Sequence, residues 1–173
     1  VKVTGSRFIK NEKAGIKVEG ARPVGYRTIS IAGARDPGFL ANLETILSGV
    51  KRRTTDNFSD LSTANSYRLL FNIYGRDGVM GKREPLRQQI GHEIGIIIEA
   101  IAPTQEMANT ICSFARSTML HYGFSGRLCT AGNLAFPYSP SDFPGGAVFE
   151  FSLHHLLEGE DEKKLFPIQW VKI

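Results

Sequence analysis

The chain has 173 residues, of which 42% are hydrophobic and 22% charged, a balance that excludes a disordered or fibrous protein and suffices for one domain with its own core. The net charge of +4 raises nucleic acid as a partner, but the basic clusters Lys51-Arg52-Arg53 and Lys82-Arg83 are short and the run 158–162 is acidic, so these read as solvated surface. No apolar run approaches the roughly 20 residues of a membrane-crossing helix. Residues 1–10 lack the order of a secretory leader, and two cysteines, Cys112 and Cys129, are too few for a disulfide framework. The expectation is a single cytoplasmic domain with free thiols, partnered by neither nucleic acid nor membrane.

In chain order, residues 1–9 and 16–19 alternate in polarity and read as extra strands at the front. Residues 26–32 are β-branched and aromatic up to Gly33, which predicts a strand. Asp36 suits an N-cap and Pro37 a first helical position, and Phe39, Leu43, Ile46, Leu47 and Val50 then recur at helical spacing. Residues 51–65 are polar enough for a loop. Residues 67–74 alternate as a half-buried strand, with Tyr67, Leu69, Phe71 and Ile73 on one face.

Residues 75–91 hold four glycines and a proline and predict a long exposed connection, of a length uncommon outside functional loops. Residues 94–101 are almost wholly apolar, as in a buried central strand, with Glu99 the exception. Thr104 can cap a second helix whose stripe is Met107, Ala108, Ile111, Cys112, Ala115 and Met119, stopping by Gly123. Residues 148–155 give a further alternating strand, and 166–173 a final short one. Strand, helix, strand, strand, helix, strand is the order of an α+β, ferredoxin-like split βαβ fold, with two helices on one face of an antiparallel sheet.

The densest unusual stretch is 126–146, with three prolines and four glycines among small polar residues, which predicts a rigid, shaped loop. Arg127 there could pair with a carboxylate or phosphate, and Thr130, Asn133, Ser139, Ser141 and Asp142 could hold a polar substrate. Each could equally satisfy the loop's own backbone. At the first strand-to-helix turn Asp36 is best read as the cap, which leaves Arg35 open as an anion ligand. Glu99, if buried, could serve as a general acid or base, or could sit on a face meeting solvent or an arginine.

His154 and His155 point to opposite faces of their strand and cannot share one metal. His92, His121 and Cys129 lack metal-motif spacing, so no metal site is expected. His155 aligns with Phe149, Phe151 and Leu153, as a core histidine would, while His154 lies on the polar face. No P-loop, GxSxG or GxGxxG is present.

The stretches Gly-Tyr-Arg-Thr-Ile-Ser-Ile-Ala-Gly-Ala-Arg-Asp-Pro (25–37), Ala-Pro-Thr-Gln-Glu-Met-Ala-Asn (102–109), Leu-His-Tyr-Gly (120–123), Thr-Ala-Gly-Asn-Leu-Ala-Phe-Pro-Tyr-Ser-Pro-Ser-Asp (130–142) and Glu-Phe-Ser-Leu-His-His-Leu (150–156) resemble the C-terminal part of the acyclic terpene utilisation A family. The resemblance covers nearly the whole chain and is most specific over 130–142. It implies the C-terminal portion of a longer catabolic protein that handles a branched organic acid or its acyl thioester. The reaction and any cofactor are left unknown. In the family pattern an aromatic residue often stands at His154 whereas His155 matches, which favours His155, with Asp142 and Glu99, as the catalytic candidates. Arg35, Arg127, Thr130, Asn133, Ser139 and Ser141 would bind substrate. A non-catalytic assembly domain, packing on a preceding portion of the same protein or on a homo-oligomer partner, is the competing expectation. RNA binding is disfavoured, because the RNP1 aromatic pattern is missing and residues 94–101 offer no aromatic platform.

Overall fold

The structure, a computed structural model, describes residues 1–9, 15–61, 67–129, 132–158, 164 and 166–172. Its elements are β1 (Gly15–Ala34), α1 (Pro37–Ala41), α2 (Leu43–Asn57), β2 (Arg68–Tyr74), β3 (Ile94–Ala102), α3 (Gln105–Leu120) and β4 (Asp142–Glu158), with short 3₁₀ turns at Ser59–Leu61 and Gly81–Arg83. The four strands form one antiparallel sheet in the order β2-β3-β1-β4. This is the α+β, ferredoxin-like arrangement, its first helix broken into α1 and α2 at Asn42.

The chain divides into two compact units, Pro23–Phe149 and Val1–Arg22 with Glu150–Ile173, and β1 and β4 contribute to both. The first unit holds the core. On β3, Ile94, Ile96, Ile98 and Ala100 meet Phe39, Ile46, Val50, Ile111, Cys112, Ala115 and Met119 of the helices. Each large side chain removed from water here stabilises the fold by roughly 1.5–3 kcal/mol. Among the described residues no helix covers the opposite face of the sheet, and the register places Glu99 there between Ile29 of β1 and Leu70 of β2. Arg27 on the same face donates to the Glu99 carboxylate, and this lets a charged group sit nine-tenths buried in an apolar strand.

Polar side chains fasten β1 to α3. The Thr28 hydroxyl donates to Asn109 at 2.6 Å, and the Gln105 amide donates to Thr28 at 2.8 Å and to the Arg27 carbonyl at 2.9 Å. The long connection 75–91 is pinned to α2 by a ring of charges. Arg76 bonds Asp77 and Glu44, and Arg87 bonds the same two carboxylates.

Three predicted boundaries move. Helix α2 runs on to Asn57 where a loop is predicted, because Thr54 is buried and returns its hydroxyl to the Val50 carbonyl at 2.8 Å. Around it Lys51 and Arg53 lie over the rings of Phe71 and Tyr122, 5.5 and 4.7 Å from their centroids. Strand β4 starts at Asp142 rather than 148. Pro144 is tolerated in it because β4 is an edge strand. Residues 1–9 and 166–172 form no strand, and 16–19 are the beginning of β1, so the extra front strands reduce to an extension of the first. Alternation marks a surface fit for half-burial, and a strand needs a paired edge as well.

In the second unit, Arg22 donates to Glu150 at 2.8 and 2.6 Å, the Ser152 hydroxyl donates to the Gly20 carbonyl at 3.3 Å, and Lys17 pairs with Glu19 at 2.6 Å. None of its described residues is buried. Among the described residues no helix is long and apolar enough to cross a membrane.

Candidate functional site

The candidate site forms where β1 gives way to α1. The Asp36 carboxylate accepts from the Phe39 N–H at 2.7 Å and is thereby committed to the helix start. Arg35, one residue earlier, is exposed and takes part in no hydrogen bond or ion pair with the described residues. One wall of the site is the segment after α3. Ala135 and Gly33 exchange two backbone hydrogen bonds, at 2.7 and 2.9 Å, and the Asn133 N–H donates to the Leu120 carbonyl at 2.9 Å. The other wall is residues 88–93, where the Gly91 N–H donates to the Gly75 carbonyl at 3.0 Å just before β3 begins.

Two clefts meet at Arg35 and Asp36. One, of about 390 Å³, lies between Gly33, Glu93, Asn133 and Leu134. The other, of about 690 Å³, has Pro37, Leu40, Ala41 and Ile90 as apolar walls, with Gln88 and His92 as polar ones. Both sizes suit a small organic molecule. A guanidinium lining the same cleft as an apolar wall can hold a carboxylate while the hydrocarbon part is sheltered.

Of the predicted substrate-binding residues, the structure brings Arg35 and Asn133 to these clefts. Asn133 spends its side chain on the fold, however, its amide donating to the Met119 carbonyl at 3.3 Å and to the Tyr122 carbonyl at 3.0 Å, just past the end of α3. Arg127 likewise serves backbone, donating to the carbonyls of Cys129 and His121. Ser141 contributes its main-chain carbonyl to the Ser30 hydroxyl at 2.9 Å, and Ser139 is exposed and precedes a cis proline. Thr130 lies outside the described residues.

Glu99 and Asp142, two of the three catalytic candidates, hold different partners. Glu99 sits on the helix-free face of the sheet with Arg27. Asp142 accepts from Arg116 of α3 at 2.8 Å, beside a cleft of about 650 Å³ lined by Asn109, Ser113, Ser117 and Pro144. His155 belongs to the other unit and is exposed, as are Phe149, Phe151 and Leu153, so it is no core histidine.

Burial, with the Asp142 carboxylate nearby, pushes the Cys112 thiol up to about 12, so at neutral pH it is a packed apolar group and not a nucleophile. Among the described residues no three histidine, cysteine or acidic side chains converge on a common point that could hold a metal ion. Glu93 and Gln88 escaped sequence reasoning. The only signal for Gln88 was membership of an unusually long connection, and Glu93 lies just after it.

No family model, curated protein or solved structure matches this chain.

Proposed function

We propose that this chain is a substrate-binding portion of an enzyme of small-molecule catabolism, taking an organic acid or its acyl thioester with a branched hydrocarbon part, as the resemblance to acyclic terpene utilisation A implies. The observation that carries this reading is Arg35, an arginine without a hydrogen-bond or ion-pair partner among the described residues, placed where two clefts of small-molecule size meet. Arg35 would pair with the carboxylate or carbonyl end, Leu40 and Ile90 would cover the hydrocarbon, and His92 would give or take a proton. Backbone hydrogen bonds of the 132–135 segment to Gly33 and Leu120 support that wall.

The test is titration of the chain with 3-methylbutanoate and 3,7-dimethyloctanoate, followed by NMR or calorimetry. The longer acid should bind more tightly, because it covers more apolar wall. Arg35→Ala should weaken both by about tenfold or more, the value of a charge-assisted bond at an exposed site. Equal binding by Arg35→Ala, or no binding at millimolar acid, defeats the proposal.

A second reading, an assembly domain, is favoured by a different observation. In the unit formed by residues 1–22 and 150–173, Phe151, Leu153, Leu156 and Trp170 are all exposed, and none of its described residues is buried.

A further inference from the structure

We propose that residues 150–154 of β4 form the centre of a two-fold interface between two copies of this chain, paired antiparallel about Ser152. In the sheet order β4 has one neighbour, β1, so among the described residues its other edge carries unpaired backbone N–H and C=O groups. Native edges are blunted by proline, lysine or bulges. Residues 150–158, Glu-Phe-Ser-Leu-His-His-Leu-Leu-Glu, contain no proline and no lysine, and Phe151, Leu153 and Leu156 stand 62%, 47% and 55% exposed. Such an edge is a template for another strand.

The occupant is a second copy because this segment complements itself. Set antiparallel against its own image with Ser152 opposite Ser152, Phe151 faces Leu153 and Glu150 faces His154, each pair occurring twice by symmetry. Apolar residues meet apolar ones, and a carboxylate meets an imidazole able to donate to it. Arg22 already fixes the Glu150 carboxylate from the β1 side through two hydrogen bonds. A two-fold contact also closes, so it leaves no further open edge of this kind.

Taking a whole aromatic side chain as roughly 200 Å², the exposed parts of Phe151, Leu153 and Leu156 offer on the order of 300 Å² of apolar surface along this strand, to which the pairing of the two backbone edges adds. The inference is independent of the Arg35 reading and deepens the assembly reading by naming the partner.

Light scattering of the chain across a dilution series should give twice the 19.1 kDa chain mass at high concentration and a dissociation midpoint on dilution. His154→Glu sets two like-charge pairs across the axis and should raise the dissociation constant about tenfold, whereas His154→Lys should leave it unchanged or lower it. Phe151→Asp should give monomer. These side chains are exposed, so circular dichroism should be unaltered in all three. A wild type monomeric up to several hundred micromolar overturns the proposal. So does a dimer indifferent to His154→Glu and Phe151→Asp, or an open-ended polymer.

Discussion

Asn133 offers a sharp test of what the glycine- and proline-rich segment is for. Its side-chain amide donates to two carbonyls at the end of α3, Tyr122 at 3.0 Å and Met119 at 3.3 Å, the latter also accepting from the Tyr122 backbone N–H. Asn133→Ala removes both donors. A neutral hydrogen bond contributes about 0.5–1.5 kcal/mol net, and the longer of these two falls at the low end, so the pair contributes about 2 kcal/mol. For a chain of this size that lowers Tm by about 4–8 °C. Asn133→Asp should cost more, because a carboxylate would face two carbonyl oxygens with nothing to donate. Differential scanning calorimetry reads both, alongside 3-methylbutanoate titration at a temperature where each variant is folded. A Tm within 1 °C of the parent, together with loss of acid binding, would show that Asn133 acts on a ligand and not on the helix end, and would refute the reasoning.

Cys112 and Cys129 should separate cleanly in a thiol assay, one group reacting at once in the native chain at pH 8 and the second only on unfolding. The Cys112 thiol ionises near 9.0 when unfolded and near 12 when folded, so the unfolded state gives up its proton first. Its contribution to stability is therefore complete below pH 9 and is lost as pH rises from 9 towards 12, which urea titrations of Cys112→Ala and parent at pH 8 and 10.5 would resolve. Gly49→Ala, which elsewhere in a helix is stabilising, should here lower stability by about 1–3 kcal/mol in urea unfolding, since the new methyl would overlap the Tyr122 hydroxyl. Arg27→Ala leaves the Glu99 carboxylate nine-tenths buried without its cation and should cost about 1–3 kcal/mol. Glu99→Leu, which joins Ile97 and Ile101 on the same face, should cost less, and the reverse order in thermal melts would refute the pairing.

Periodicity alone determined the alternation of strands and helices, the core stripe from Phe39 to Val50 and from Ala108 to Met119, and the caps at Asp36 and Thr104, because each is set by residues within a few positions of one another. Tertiary structure decided the rest. Polar residues 51–57 continue α2 because Lys51 and Arg53 find aromatic rings supplied by β2 and by the end of α3, partners that are remote in sequence. Glu99 could be read as exposed or paired, and only the register of β1 on β3 put Arg27 beside it. At the candidate site the sequence pointed to a loop full of hydrogen-bonding groups, but the chain spends Asn133 and Arg127 on its own carbonyls and leaves Arg35 unspent. Which polar group is consumed and which stays available depends on distances between segments far apart in the chain, and those distances exist only once the chain is folded.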